Sequence, residues 1–263
     1  AKLLNDAQQI AQESANWILQ SNGAEVLNTL ALLGSGVTAM ELSSLLGKNK
    51  ALKPKATQRV VEELIRMHLV TMSAPEKFLT YAEASKFSIA EAEPLLRIQP
   101  LIADAYNAAL EQSEPLECKT RHSDLFDGLV ALAEATAVTI DDKTRLLLLA
   151  TQQGVKAERV EEAYDAYYQR LKEGRPLLGA GSKKAERRAL AVFYEQPWDS
   201  PLRQLSALAS ARLKASAATN LMALGLPEAA LVQAMTSVSW FISHGYYKDA
   251  LQLAGPLLSM LIT

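Results

Sequence analysis

The chain of 263 residues has a single cysteine, Cys118, and few glycines and prolines, 12 and 10 respectively. One cysteine excludes an intramolecular disulfide framework and a cysteine-based zinc cluster, and it favours a reduced, cytoplasmic setting. The three histidines, His68, His122 and His244, lie far apart without a second ligand at helical spacing, so no metal site is predicted. A membrane-spanning helix needs about 18 consecutive apolar residues, and no apolar run in this sequence is that long. The sequence therefore predicts no membrane segment.

An excess of charge of one sign is also missing, because 27 basic and 29 acidic residues give a formal net charge of −2. The whole chain is therefore not a generic binder of polyanions, and any nucleic-acid site must be a local patch. Hydrophobic residues make up 49% and charged residues 21% of the chain. This composition, rich in Ala and Leu, is typical of a globular protein and favours helices over strands.

No group of residues has the spacing of a catalytic or cofactor site. The stretch LLGAGSKKAE (177–186) lacks the spacing of a phosphate-binding loop and a preceding strand, so a flexible basic connector is expected. In RHSD (121–124) the Ser, His and Asp side chains diverge, and helix capping by Ser123 explains the residues better than a catalytic triad. Asp141 and Asp142 are expected to begin a helix. We therefore predict that the protein is not an enzyme and has no cofactor.

The first part of the chain predicts several short helices. Apolar residues at helical spacing predict an N-terminal helix within residues 1–22. GAEVLNTLALLG (23–34) is typical of a second helix that its final glycine closes. Thr38 and Glu41 have the spacing of a capping box at the start of a third helix, which is expected to end at Gly47.

A further helix and a hairpin are predicted next. Pro54 suits the first turn of a helix that continues to about Met67. HLVTMS and KFLTYA, on either side of APEK, predict a short β-hairpin. The following residues, 83–112, have mostly helical spacing and are predicted to continue as helices that Pro94 and Pro100 divide.

This order of elements resembles a winged helix-turn-helix domain over roughly residues 20–85. TAMELSSLLG matches the second helix of such domains, KATQRVVEELIRMHLV the third helix, and LVTM with KFLTY the β-wing. The resemblance implies a small helical domain that is used either for DNA binding or for docking within assemblies. The sequence departs from the pattern at KNKALKPKA, which is longer than the tight turn of the family.

A run of basic residues precedes and begins the helix at 54–67. It comprises Lys48, Lys50, Lys53, Lys55 and Arg59, with no acid between Glu41 and Glu62. Lys and Arg neutralise phosphates without sequence preference, and Lys55, Thr57, Gln58 and Arg59 are the residues that a groove-bound helix would direct at bases. A solvated helix rim explains the same charges equally well, because Glu62 and Glu63 would repel phosphate.

The remainder of the chain is predicted to be all helical. Residues 113–122 are polar, contain a proline and lack periodicity, which predicts a linker between a winged-helix domain with trailing helices (23–112) and an all-α domain (123–263). ALGLPEAALVQA (223–234) and SHGYYKDALQLA (243–254) share Gly and Ala positions that resemble tetratricopeptide repeats. Because the copies lie 20 residues apart rather than about 34, a solenoid-like antiparallel stack is expected.

Aromatic residues of these helices are the predicted partner-binding residues: Tyr164, Tyr168, Trp240, Tyr246 and Tyr247. A stripe of this kind lies either in a core or in an interface. The function predicted from the sequence is a regulatory or adaptor protein whose C-terminal helices bind a protein or peptide and whose winged domain is an output or docking module. The alternative is a DNA-binding transcriptional regulator that uses the helix at 54–67 and the wing. The sequence leaves the oligomeric state open.

Overall fold

The computed structural model describes residues 18, 22–50, 54–73, 93–135, 140–172, 180–196 and 198–262. This part of the chain is mainly helical and contains two small antiparallel sheets of two strands each. The contacts divide the chain into two compact units, and within the described residues the division falls after Gly128. The prediction of a mainly helical fold is confirmed.

In the described residues, the first unit contains six complete elements and the beginning of a seventh. They are α1 (Gly23–Leu33), α2 (Ala39–Lys50), α3 (Pro54–Arg66), β1 (Val70–Ser73), β2 (Leu95–Ile98), α4 (Pro100–Ser113) and the beginning of α5 (Pro115–Ala133).

The second unit contains the end of α5 and the elements that follow it. They are α6 (Ile140–Lys156), α7 (Val160–Asp165) with a π-helical continuation (Ala166–Lys172), α8 (Ala180–Ala191), β3 (Tyr194–Gln196), β4 (Ser200–Pro201), α9 (Ala207–Ala223), α10 (Pro227–Ser243) and α11 (Tyr247–Ile262).

The C-terminal end of α1 and the start of α2 lie where the sequence predicted them, and residues next to each end explain why. Gly34 takes a left-handed backbone with φ of 61°, and its N–H donates to the Leu30 carbonyl. The Thr38 N–H donates to Glu41 Oε2 (2.8 Å), and the Glu41 N–H donates to Thr38 Oγ1 (3.2 Å). This reciprocal pair is the predicted capping box, which satisfies two amides that the first helical turn leaves without partners.

The predicted end of α2 at Gly47 is wrong, because the helix continues to Lys50. A glycine ends a helix when it takes a left-handed conformation, whereas Gly47 keeps a helical one. Three residues, 51–53, which lie outside the described part of the chain, separate the end of α2 from Pro54, where α3 begins. The long connection expected from KNKALKPKA is therefore also wrong, because most of its residues belong to the two helices.

β1 forms where HLVTMS predicted a strand, and it pairs with β2, with Val70 opposite Ile98. The helix predicted over residues 95–98 is wrong. Pro94 and Pro100 bracket these residues and oppose helix formation, while Leu95, Leu96 and Ile98 are buried. The predicted strand KFLTYA, the turn APEK and nearly all of the N-terminal helix over 1–22 lie outside the described residues.

A third short segment joins this sheet between α1 and α2. Val37 and Leu96 form an antiparallel bridge, in which the Leu96 N–H donates to the Val37 carbonyl at 2.7 Å. The neighbouring Gly36 permits this approach, because a Cβ on it would lie 2.7 Å from Leu95 Cβ. The sheet therefore ties the α1–α2 turn to the strand that precedes α4.

The linker predicted over 113–122 is wrong for residues 115–122, which begin α5. Pro115 occupies the first turn, where its missing N–H carries no cost. The buried face of α5 includes Cys118, His122, Leu125 and Leu129 at helical spacing. Cys118 and His122 obscured this periodicity in the sequence. Ser123 consequently lies within the helix and does not cap it.

The last three helices pack through small side chains. Ala211, Ala218, Ala230, Ala234 and Ala250 are all buried among them. Two turns of three residues connect the helices, and each turn has a central glycine in a left-handed conformation, Gly225 with φ of 75° and Gly245 with φ of 79°. The two sequence segments that lie 20 residues apart are therefore two glycine turns, each followed by the first residues of a helix. The prediction of two final helices is confirmed.

Candidate functional site

The helix α3 is amphipathic, and its apolar face includes one of the predicted base-contacting residues. Thr57 lies three residues before Val60 and four before Val61, and only 1% of it is exposed. The prediction that Thr57 reaches a base edge is therefore wrong. The spacing alone contained this information, because Thr57, Val60, Val61 and Leu64 share one face of a helix.

The outer face of α3 carries the remaining predicted contacts. Lys55, Gln58 and Arg59 are exposed. Gln58 Nε2 donates to Glu62 Oε1 at 3.0 Å, and Arg66 forms an ion pair with Glu63. The exposed basic residues Lys55 and Arg59 therefore lie in the N-terminal half of α3. Lys48 and Lys50 belong to the last turn of α2, and the surroundings of their side chains are not described. Lys53 lies outside the described residues.

A cavity of about 20 Å³ lies between α1, α2 and α5 in the first unit. The Glu25 carboxylate, on its wall, accepts two hydrogen bonds of 3.1 Å from Arg121 Nη1. Arg121 Nε also donates to Glu117 Oε1 at 2.9 Å. The space accommodates a single water molecule rather than a ligand. The ion pair between Arg121 and Glu25 connects α5 with α1.

Two of the predicted partner-binding tyrosines lie inside the second unit. Tyr164 is only 5% exposed and its ring stacks on Tyr168 at a centroid distance of 5.5 Å. The Arg212 guanidinium lies 5.1 Å from the Tyr168 ring, and Arg212 Nε donates to Asp249 Oδ1 at 3.2 Å. Burial raises the pKa of both tyrosines, and Arg212 opposes the rise. The prediction that Tyr164 binds a partner is wrong, because the residue belongs to the core, and Tyr168 is half-buried beside it.

The other three predicted residues come together where α10 meets α11. The Trp240 ring stacks on His244 at 4.1 Å and on Tyr246 at 5.5 Å. Tyr247 is 64% exposed, and Leu251, one helical turn later, is 74% exposed. We call Tyr246, Tyr247 and Leu251, with Trp240 beneath Tyr246, the α11 surface. Sequence reasoning identified its aromatic residues and missed Leu251.

A second apolar surface, which sequence reasoning missed, lies along α10. Val232, Met235, Ser239 and Ile242 are exposed on one face of the helix, and we call them the α10 stripe. No Asp, Glu, Lys or Arg occurs between Ala229 and Tyr247. This charge-free stretch is visible in the sequence and could have indicated the surface, because exposed apolar patches without charge are typical of interaction sites.

A polar cluster surrounds Glu186 in the core of the second unit. Glu186 is fully buried and accepts hydrogen bonds from the Tyr167 hydroxyl (2.8 Å), Asn220 Nδ2 (3.0 Å) and Lys183 Nζ (3.3 Å). Burial, and then the Glu186 carboxylate, raise the pKa of Tyr167 well above its usual value. The connector predicted over 177–186 is therefore wrong from Ala180 onward, where α8 begins. This cluster links α8 and α9 to the π-helical turn.

Within the described ranges, no three His, Cys, Asp or Glu residues are grouped so that they can hold a metal ion. None of the helices in those ranges combines the length and apolar content needed to cross a bilayer. Comparisons with known protein families, curated proteins and solved structures find no match for this chain. A functional assignment therefore depends on the α3, α10 and α11 surfaces.

Proposed function

We propose that this protein is a non-catalytic regulatory or adaptor protein. Its C-terminal helices bind a protein or peptide partner through the α11 surface, and its first unit serves as a winged-helix output or docking module. The observation that carries the proposal is the set of ordered, exposed aromatic residues at the start of α11. It lies at the end of a chain segment without charge.

The α11 surface has the chemistry of an interaction site. Stacking of Tyr246 on Trp240 orders the tyrosine ring before any partner binds. Tyrosine contributes a large apolar area with few rotatable bonds, so little conformational entropy is lost on binding. Tyr247 and Leu251 lie one turn apart on the same side of the helix, a spacing suited to the apolar residues of a peptide or helix.

The architecture of the two units supports the modules assigned to them. Among the described residues of the first unit, α1, α2 and α3 precede β1 and β2, three residues separate α2 from α3, and Val37 bridges to Leu96. This order agrees with a winged helix-turn-helix. In the second unit, alanine-mediated packing of α9, α10 and α11 and the 20-residue spacing of their glycine turns support a helical-repeat stack.

Replacing Tyr247 and Leu251 together by alanine is expected to weaken binding of the partner by about tenfold or more, because apolar anchors dominate protein interfaces. The measurement is affinity capture with the tagged full chain, followed by quantification of the stoichiometric partner. Leu101→Ala with Leu116→Ala is the matched control, since these exposed leucines lie in the first unit. Unchanged capture by the Tyr247 and Leu251 variant would reject the α11 surface.

DNA binding by α3 is the second candidate function. The observation that favours it is the three-residue α2–α3 connection, together with exposed Lys55 and Arg59 on the N-terminal half of α3. A short turn orients the third helix of such domains for the major groove, and its first residues contact the bases. Glu62 and Glu63, further along α3, restrict any contact with phosphates to that half.

Replacing Lys55 and Arg59 together by glutamate is expected to weaken binding to random-sequence duplex DNA and to lower the salt slope of its affinity. Each lost phosphate contact lowers the salt slope of the affinity by about one. The measurement is a fluorescence-anisotropy titration at several salt concentrations. The control is Lys184→Glu with Arg188→Glu, which reverses two exposed charges on α8. Absence of binding by the unaltered chain, or an unchanged slope in the α3 variant, would exclude this function.

A further inference from the structure

The α10 stripe has the spacing of a helix-pairing seam. Its members, Val232, Met235, Ser239 and Ile242, are separated by three, four and three residues. Alternating steps of three and four place side chains along one line of a helix, as at the a and d positions of coiled coils. Met235 and Val232 are each 61% exposed. The seam therefore faces outward along α10 from Val232 to Ile242.

The opposite face of α10 attaches the helix firmly to its own unit. Ala230, Ala234 and Phe241 are buried there. The Ser237 hydroxyl donates to the Ala211 carbonyl of α9 at 2.9 Å, and Gln233 Nε2 donates to the Trp198 carbonyl. The stripe is consequently presented on a helix with a defined orientation, so that little conformational entropy is lost when a second helix packs on it.

The stripe is self-complementary when two copies pair antiparallel about a two-fold axis. A spacing of three, four and three residues is the same in both chain directions, so each member meets a member of the other copy. Val232 lies opposite Ile242 of the second copy, and the long Met235 lies opposite the small Ser239. Alternation of large and small side chains allows two helices to interdigitate closely, and a two-fold axis repeats every contact.

The distribution of charge also favours a second copy as the occupant. Glu228 is the one charged residue of α10, and none follows until Lys248. In the antiparallel register, Glu228 lies beyond Ser243, the last residue of the other copy's α10, so no like charges meet. The face offers no charge to select a charged partner, whereas its own duplicate has a matching shape and the same lack of charge.

We propose that the α10 stripe is a self-association surface on which α10 of a second copy packs antiparallel. The chain then forms an isologous dimer through α10 and leaves the α11 surface to a different protein. The dimer also places two copies of the first unit in one particle. This inference is independent of the proposed adaptor function, because the two use different residues.

Sedimentation velocity of the full chain over a range of concentrations tests the pairing. A reversible monomer–dimer equilibrium is expected. Met235→Glu should raise its dissociation constant by about 30-fold or more, because the carboxylate would be buried without a partner. Leu101→Glu is the matched control, since Leu101 is 84% exposed in the first unit. Ile242→Asn provides a second variant of the stripe, should Met235→Glu alter the helix content measured by circular dichroism.

Oxidative cross-linking tests the antiparallel register. A mixture of the Met235→Cys and Ser239→Cys chains should form a disulfide between copies, while each variant alone should cross-link less, because equivalent positions lie apart in an antiparallel pair. Cys118 is buried and does not compete. More efficient cross-linking of each variant alone would establish a parallel pair and overturn the proposed register.

Two further results would overturn self-association through the α10 stripe. They are a chain that remains monomeric at every concentration and a dimer that Met235→Glu leaves unchanged. Either result leaves the partner assay on Tyr247 and Leu251 intact. Conversely, unchanged capture by the α11 variant rejects the adaptor surface without affecting the dimer.

Discussion

Replacing Glu186 by alanine is expected to lower the free energy of unfolding by about 3–5 kcal/mol, the range for removing one partner of a buried ion pair. The Glu186 carboxylate is fully buried and accepts hydrogen bonds from three side chains. Its removal leaves the Lys183 ammonium without its counter-charge and deprives the Tyr167 hydroxyl of an acceptor. Chemical denaturation followed by circular dichroism measures the loss.

Glu195→Ala is the matched control for this effect. Glu195 pairs with Arg203 at 3.7 Å, with the Arg203 side chain almost fully exposed. Solvent screens an exposed pair, so the expected change is within about 0.5 kcal/mol. Equal losses in the Glu186 and Glu195 variants would show that the buried cluster contributes no more than a surface pair.

Two tyrosine substitutions locate the source of the loss. Tyr167→Phe removes a hydrogen bond to a buried carboxylate and is expected to lower the free energy of unfolding by about 1.5–3 kcal/mol. The Tyr194 hydroxyl is also buried but has no hydrogen-bond partner within the described part of the chain. Tyr194→Phe should therefore be nearly neutral or stabilising. A larger loss for Tyr194→Phe than for Tyr167→Phe would contradict the assigned role of Glu186.

Replacing Gly36 by alanine is expected to lower the free energy of unfolding by about 1–3 kcal/mol, as overpacking does in a core. The added Cβ would lie 2.7 Å from Leu95 Cβ and 3.1 Å from Arg97 Nε. Leu95 is buried in β2, so it has little room to retreat. The strain falls on the bridge between Val37 and Leu96, and the amide of Leu96 should exchange faster with solvent in hydrogen-exchange measurements.

Gly255→Ala is the matched control for Gly36. Gly255 lies within α11, and an added Cβ there would meet no atom within 4 Å apart from its chain neighbours and the backbone of its own helix. Alanine is a better helix former than glycine, but a Cβ at this position also crowds the ring of Pro256, so the free energy of unfolding is expected to change by less than about 1 kcal/mol. A Gly36 variant as stable as the Gly255 variant, with unchanged exchange at Leu96, would show that β2 can shift without cost.

Elements specified by neighbouring residues were predicted correctly. The capping box of Thr38 and Glu41, the closing Gly34 and the Pro54 start of α3 depend on residues within one helical turn of each other. Interactions at this range recur in any context where the helix forms, so spacing in the sequence is sufficient to predict them.

The candidate surfaces were predicted only in part, because residue type does not determine exposure. Tyr246 and Tyr247 are exposed as the adaptor hypothesis requires, whereas Tyr164, with the same side chain, belongs to the core. Thr57 was expected to reach bases because it lies in the N-terminal half of the third helix, yet its spacing from Val60 places it on the buried face of α3. The exposed α10 stripe was missed because its apolar residues look like core residues in the sequence. Only the helices that pack against α10 show which of its faces is buried.

The sequence by itself determined a mainly helical chain, the order of its helices and several of their ends, because helix formation depends on contacts three and four residues apart. Only the tertiary structure decided that Leu95–Ile98 is a strand, that Glu186 is buried with Lys183, Tyr167 and Asn220, and that the α10 stripe faces outward. These features depend on residues distant in the chain. Burial in contact with such residues outweighs the small preferences of local sequence.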